Sequence, residues 1–355
     1  MSVRTCPLDG VAEMAAATAT APADPSALFK RALPWVLSAL VVVAIVVSYG
    51  WKPNDTEAVM ARTVRAAAPL MLGALCGLIS ERSGIVNIGI EGQMLLAAYF
   101  GFMASSYTAD YGTLISLLLG IGAGMLAAGL AGAFMGWCAI RLKMDQIIAG
   151  TVVNIFAAGF TSYAYIQGRT QPTFPSWSTP GLSEVPVVGK AFEQGPLTYV
   201  AFLSIIVVHV ALFRTRWGLR TRAVGEHPSA VDTVGVDVLR LRYVNMTIAG
   251  GLAGLAGMAL IQSASVFNRG MTNGAGFIAL AVMLFGRYRP FGVLVGALLL
   301  GFFNGLQSQL QFRQAFDIPP QFFGMIPFVL TIIVLAVSGL AARPPAAAGT
   351  PYETE

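Results

Sequence analysis

Ser80-Glu81-Arg82-Ser83-Gly84-Ile85-Val86-Asn87-Ile88-Gly89-Ile90-Glu91-Gly92-Gln93 sets two carboxylates, an arginine, an asparagine and three glycines between two long apolar runs. Ionisable groups are costly at membrane depth, so a cluster of them there marks a functional site. Irregular backbone survives inside a bilayer only where protein or a water-filled cavity surrounds it. A helix interrupted here would free N–H and C=O groups of the kind from which transporters build midplane sites. The same stretch also fits a short cytoplasmic loop between two spans, and its position leaves both readings open.

The surrounding composition decides the class. Hydrophobic residues make up 56% of the chain and charged residues 11%, and mean hydropathy is +0.70. Soluble domains carry roughly a quarter charged residues, so the chain is an integral membrane protein. Cys6, Cys76 and Cys138 are unevenly placed and suggest neither a disulfide frame nor a zinc site. His209 and His227 are too few for a metal or relay cluster, and a single histidine in an apolar run is ordinarily packed. The first apolar run starts near Leu33 and is too long for a cleaved signal. Residues 1–28, rich in Ala, Thr and Pro, read as a disordered cytoplasmic tail.

Apolar runs of about 20 residues mark bilayer spans. They fall near 33–50, 64–80, 93–108, 113–140, 146–166, 197–213, 243–262, 272–286, 290–310 and 322–340. The eighth is short and reads as a tilted or half-penetrating helix shielded by its neighbours. With the N-terminus inside, fifteen of the 22 Lys and Arg residues lie in cytoplasmic segments, among them Arg82, Arg141, Arg214–Arg242 and Arg287. The external set is Lys52, Arg62, Arg65, Arg169, Lys190, Arg269 and Arg313. The asymmetry follows the positive-inside rule. It also accounts for the net charge of +5 without a nucleic acid partner. The expectation is an all-α polytopic protein of about ten transmembrane helices, some broken or short. Residues 29–342 form its membrane domain, residues 343–355 a cytoplasmic C-terminal tail, and both termini are inside.

Gly120, Gly124, Gly132 and Gly136 recur every four positions or multiples of four, with Ala128 between them; Gly250, Gly254 and Gly257 repeat the device in the seventh span. Small-residue stripes let membrane helices approach closely, so these read as packing seams. Segment 167–196 carries five prolines and Trp177, and prolines deny it regular structure; it suits an external docking surface or a cap. Segment 214–242 is the longest internal one. Pro228 and Ser229 look like a helix start and Gly235 like its stop, giving one or two turns from Pro228 to Val234 at the membrane surface. Its mixed composition fits a protein contact better than lipid headgroups.

Glu81-Arg82-Ser83-Gly84-Ile85-Val86-Asn87-Ile88-Gly89-Ile90-Glu91-Gly92 closely resembles the signature of nucleoside permease subunits of ATP-binding cassette (ABC) importers. These sit in the wider ribose and branched-chain amino-acid permease group. Three further stretches match in order: Gly150-Thr151-Val152-Val153-Asn154-Ile155; Gly218-Leu219-Arg220 through Ala223-Val224-Gly225-Glu226 to Gly235-Val236; and Gly276-Phe277-Ile278-Ala279-Leu280-Ala281 with Phe285-Gly286. The resemblance runs from about residue 60 to 340. It implies a type II-like importer fold in a prokaryotic cytoplasmic membrane. It also implies a second permease that is usually a different chain, an ABC ATPase that binds ATP and Mg, and an extracytoplasmic substrate-binding lipoprotein. The 214–242 helix would correspond to the segment seated in the ATPase, with Gly225, Glu226, Pro228, Ser229, Asp232 and Gly235 as coupling residues. The long Ala-rich leader and Gln93, where apolar residues are common, depart from many relatives.

The chain has no Gly-x-x-x-x-Gly-Lys-Ser/Thr phosphate loop, so on this reading it is a transport subunit without ATPase chemistry or a bound cofactor. Asn87, Glu91, Gln93 and Asn154 are placed near the substrate pathway, with Phe277 as an aromatic wall. An aromatic face and amides suit the π-face and hydroxyls of a nucleoside. Glu91 can equally be structural, pairing with Arg82 or capping a broken helix. An ion-coupled secondary transporter using Glu91 is the rival. A membrane enzyme would need convergent nucleophile, base or metal ligands, which two separated histidines and scattered carboxylates do not supply.

Overall fold

The computed structural model describes residues 53–178, 189–313 and 343–352, with the single residues 181, 185, 325, 329 and 332. The leader at 1–28, the first expected span at 33–50 and nearly all of the last at 322–340 lie outside the described residues.

The eight remaining spans each correspond to a helix: α1 (Pro53–Arg82), α2 (Ile90–Tyr107), α3 (Thr113–Ile140), α4 (Gln146–Tyr163), α5 (Pro196–Arg214), α8 (Val238–Ala264), α9 (Ala275–Phe285) and α10 (Pro290–Arg313). Among the described residues six helices are long and apolar enough to cross a membrane, and α9 is a shorter apolar helix. At about 1.5 Å per residue α9 reaches roughly 16 Å, about half of a ~30 Å hydrocarbon core. Between α5 and α8 lie α6 (Arg216–Glu226) and α7 (Pro228–Thr233). The sequence reading anticipated α7, one residue longer, but took α6 for loop. Its run of Arg and Thr lacks an apolar span's signature, yet Thr215 caps it by accepting from the Gly218 N–H.

Helix α1 organises the bundle. From Ala66 to Ile79 it is apolar on all sides, the pattern of a helix with no solvent face, and every residue from Ala67 to Glu81 is buried. The helix runs unbroken through Pro69. Helices α5, α8, α9 and α10 pack around it, while α3 lies against α2 and α8. The glycine stripes form the α3 seams. A Cβ at Gly132 would lie 2.6 Å from the Met246 carbonyl, and one at Gly120 2.8 Å from the Gly101 carbonyl. Gly250 and Gly254 face Ala128, Gly129 and Met125 from the α8 side, Gly124 meets Ala97, and Gly136 meets Met246. The outer faces of α3 and α5 carry exposed Leu114, Leu118, Leu126, Leu203 and Ile206, as expected where lipid or another subunit covers them.

Segment 167–196 is not wholly irregular, as the prolines had suggested. Trp177 and Ser178 pair antiparallel with Gln194 and Glu193, so a two-residue ladder, β1 (Trp177–Ser178) with β2 (Glu193–Gln194), ties its two ends together. The ladder forms between the prolines, where no N–H is missing. Residues 343–352, expected as a tail, instead fold against the α6–α7 region, with Pro345 and Ala347 buried.

Candidate functional site: a re-entrant break and its fasteners

The quoted stretch is an interrupted helix, not a simple loop. Helix α1 ends at Arg82, with Gly84 left-handed at φ +87°. The Ile85 N–H returns to the Ser80 carbonyl at 3.1 Å and the Gly84 N–H to the Glu81 carbonyl at 2.9 Å, the 6→1 and 5→2 pair of a Schellman stop. The chain then doubles back. Ile90, at the start of α2, packs beside Gly77 and Gly73. Those residues lie about 7–13 Å back along α1 from Arg82 by helical rise.

Doubling back strips residues 85–89 of helical hydrogen bonds, and unpaired backbone buried away from water is expensive. One face of α4 meets that demand. The Val86 N–H donates to Gln146 Oε1 at 2.6 Å, Asn154 Nδ2 donates to the Ile88 carbonyl at 3.0 Å, and the Gly92 N–H donates to Asn154 Oδ1 at 2.7 Å. Gln146, Gly150 and Asn154 recur at i, i+4 and i+8, so they share a face. A Cβ at Gly150 would come within 2.8 Å of the Gly89 nitrogen. The glycine lets the break lie flat on α4 while the amides above and below it satisfy the backbone. Asp145 caps that helix, accepting from the N–H groups of Ile147 and Ile148.

On the other side of the break Asn87 and Gln93 are fully buried. Asn87 Nδ2 donates to Gln93 Oε1 at 3.2 Å, and Gln93 Nε2 donates to Asn87 Oδ1 at 3.3 Å. Asn87 Nδ2 also lies 3.5 Å from Cys76 Sγ. This reciprocal amide pair neutralises two polar side chains within the packing. It explains why Gln93 stands where an apolar residue would otherwise serve.

Glu91 holds a second break. After α8 ends at Ala264, Ser265 turns left-handed and residues 265–274 lead back to α9, whose Ala279 packs on Gly73 of α1. Glu91 Oε1 accepts the Gly274 N–H at 2.8 Å and Oε2 accepts the Gly276 N–H at 2.7 Å. The carboxylate therefore caps the N-terminus of α9 from the first turn of α2, at the positive ends of both helices. Of the two structural roles expected for Glu91 this is capping; Arg82 takes a different partner. Phe277, the next residue after Gly276, is half exposed on α9. The structure thus gathers Asn87, Glu91, Gln93 and Asn154 around one break and places Phe277 on the helix that Glu91 caps.

A cavity of about 400 Å³ opens beside these elements, lined by Arg62, Arg65, Asn273, Asn304 and Gln307 among others. None of the five pathway residues expected from sequence lines it.

At the Arg82 end of α1 the fasteners multiply. Arg82 Nη2 donates to the Tyr288 carbonyl at 3.0 Å, and the Tyr288 hydroxyl donates to Glu81 Oε2 at 3.0 Å. Burial and the neighbouring Glu81 carboxylate raise the Tyr288 phenol well above its ordinary pKa, which keeps it a donor. Arg242, counted from sequence as a loop charge, is buried and donates from Nε to the Ser83 carbonyl at 3.1 Å. Gly225 packs directly under the Arg82 carbonyl, bringing α6 against the end of α1. Pro228 and Ser229 open α7; Gly235, at φ +80°, closes it by donating to the Asp232 carbonyl at 2.8 Å. The side chains of Glu226 and Asp232 both bond to the C-terminal segment.

Gln146, Arg242, Tyr288 and residues 344–352 were not anticipated. The four-residue spacing of Gln146, Gly150 and Asn154 was a legible signal for the first. No local pattern marked the others, because their partners are remote in the chain.

A multi-pass bundle with paired re-entrant breaks is the architecture of a membrane permease. The chain belongs to the family described as branched-chain amino acid transport system / permease component, which it matches over residues 59–335. It is 36% identical over 304 residues to the guanosine ABC transporter permease protein NupQ of Bacillus subtilis, covering 82% of this chain and 94% of that one. It is 35% identical to the nucleoside ABC transporter permease protein NupC of Lactococcus lactis, over 84% of this chain and 98% of that one. A putative glucose ABC transporter permease protein, TsgC13 of Haloferax volcanii, is 36% identical, covering 77% and 89% of the two chains. No solved structure matches the chain.

Proposed function

We propose that the chain is the transmembrane permease subunit of an ABC importer that moves nucleosides across the membrane by alternating access. The observation that carries this reading is the break itself. Helices α2 and α9 both start within the bundle and share one carboxylate, as in transporters whose discontinuous helices meet at the substrate level. Membership of the permease family and the similarity to guanosine and nucleoside permeases support the substrate class. The equal identity to a putative glucose permease keeps simple sugars as a second substrate class.

In this reading ATP and Mg bind a partner ATPase that engages α7, a second permease completes the pathway, and a lipoprotein delivers substrate from outside. Both termini face the cytoplasm, and the complete fold has about ten spans in a type II-like arrangement. Phe277 supplies an aromatic surface for the base, while Asn87, Glu91, Gln93 and Asn154 fix the pathway wall behind it. The glutamate's two backbone donors favour this over an ion-coupled carrier: a carboxylate with both oxygens engaged in capping α9 already has a structural task.

The test is uptake of labelled guanosine, uridine, ribose and glucose in cells with and without the gene, under ATP depletion or a protonophore. Gene-dependent guanosine uptake that needs ATP and tolerates the protonophore is expected. Loss of uptake with the protonophore at constant ATP would overturn the reading in favour of the carrier.

A further inference from the structure

Residues 344–352 touch both moving parts that the proposed mechanism requires. The Ala347 N–H donates to the Gly225 carbonyl at 2.9 Å and the Ala346 N–H to Glu226 Oε2 at 3.2 Å, at the end of α6. Two residues on, the Gly349 N–H donates to the Gly84 carbonyl at 3.3 Å, at the turn that opens the break. Arg242 spans the same two places, with Nε on the Ser83 carbonyl and Nη1 3.4 Å from the Thr350 carbonyl. The Tyr352 hydroxyl donates to Asp232 Oδ2 of α7 at 2.8 Å. Its ring packs on the small core of Val224, Val231 and Val238, which joins α6, α7 and the start of α8.

The segment is built to hold this shape. Pro344 and Pro345 restrict the backbone before it turns, and Gly349 sits left-handed at φ +81°. The Ala348 N–H returns to the Pro345 carbonyl and the Thr350 N–H to the Ala347 carbonyl. Turns closed in this way make a compact strap, unlike an extended tail. Five hydrogen bonds to other elements, with burial of Pro345 and Ala347 and the packing of Tyr352, oppose the entropy of ordering it.

We propose that residues 344–352 are a coupling strap, with Tyr352 and Arg242 as positioning residues, that carries displacement of α6–α7 to the Ser83–Gly84 turn. The inference rests on the ATPase-driven reading above. Without the strap, α7 would still bear a partner's push. The approach of Gly225 to Arg82 and the Arg242–Ser83 bond from the start of α8 would also remain, but no hydrogen bond would then run from the end of α6 or from Asp232 through one segment to Gly84. Coupling needs elements with linked positions, not mere proximity, and the strap supplies that link in hydrogen bonds to both ends.

The experiment uses the complete transporter, with permeases, ATPase and binding protein reconstituted in proteoliposomes, and counts ATP hydrolysed per labelled guanosine imported. Deletion of residues 344–355 and the substitutions Tyr352→Phe and Tyr352→Ala are compared with wild type. The expected result is retained assembly and ATP hydrolysis, with ATP spent per guanosine rising several-fold in the deletion and in Tyr352→Ala. Tyr352→Phe, which keeps the ring and loses the Asp232 bond, should give a smaller rise. If the deletion does not assemble, the two Tyr352 variants decide the matter. A wild-type ratio in both overturns the strap, as does uptake and hydrolysis falling in equal proportion. Absence of ATP-driven uptake by the wild-type complex would instead overturn the importer reading.

Discussion

The Glu91 carboxylate receives the N–H groups of Gly274 and Gly276, 183 and 185 positions further along the chain, at 2.8 and 2.7 Å. One side chain thus closes a helix that its own segment does not contain. Glu91→Gln keeps the shape but leaves an amide with a single acceptor oxygen facing two donors, and removes the charge that both helix ends favour. Hydrogen bonds to charged groups contribute about 1.5–3 kcal/mol, so Glu91→Gln should destabilise the protein by about that amount and Glu91→Ala by more. Thermal unfolding in lipid nanodiscs measures this. Unchanged stability together with abolished uptake would instead make the charge a transport group.

The α4 face predicts a graded series. Asn154→Ala removes both partners of the break, the donor to the Ile88 carbonyl and the acceptor of the Gly92 N–H. Gln146→Ala removes one, the acceptor of the Val86 N–H. An orphaned buried group costs about 1–3 kcal/mol, so Asn154→Ala should lower the unfolding temperature more than Gln146→Ala. Asn154→Asp should be at least as harmful as Asn154→Ala, because it sets a carboxylate oxygen against the Ile88 carbonyl. Equal melting temperatures across the three would refute this account of the break.

Much of this was legible in the chain alone. Apolar run length placed eight of the ten α-helices that the described residues contain, because long apolar stretches are found together chiefly where a bilayer or a core covers them. Ser83-Gly84 within a polar run announced an interruption, but not its direction. Whether a chain stops at the membrane surface or turns back depends on partners such as Gln146 and Asn154, some 60 residues away. The α6 helix escaped because its arginines suited a basic loop equally well. Arg242 obeyed the charge rule while serving as a buried clamp, since a count of charges carries no information on burial. The Tyr352–Asp232 bond spans 120 residues and left no local trace.

Tyr288 reports on the junction of α1 with the α9–α10 turn. Its backbone is left-handed at φ +55°, and its hydroxyl is the donor to buried Glu81. Tyr288→Phe preserves the ring beside Arg82 and deletes only that donor. The loss should cost about 1–3 kcal/mol and be visible as a lower unfolding temperature. A second substitution, Glu81→Gln, should restore part of it by removing the charge left without its donor. A double-mutant cycle with no interaction between the two sites would show that the bond contributes nothing.

The glycines of α3 offer an internal control. A Cβ at Gly132 would press on the Met246 carbonyl and the Gly250 backbone, whereas one at Gly122 would meet nothing within 4 Å. Both sit in the same helix, so intrinsic propensity favours alanine at each by up to about 1 kcal/mol. Gly122→Ala should therefore leave stability unchanged or raise it. Gly132→Ala should lower it, because the facing atoms are backbone and cannot rotate away, and overpacking of this kind costs about 1–3 kcal/mol. Gly132→Leu should prevent α3 from seating on α8 and abolish a cooperative melt. If Gly122→Ala and Gly132→Ala melt together, the seam is looser than its geometry indicates, and the close approach of α3 to α8 does not hold the bundle.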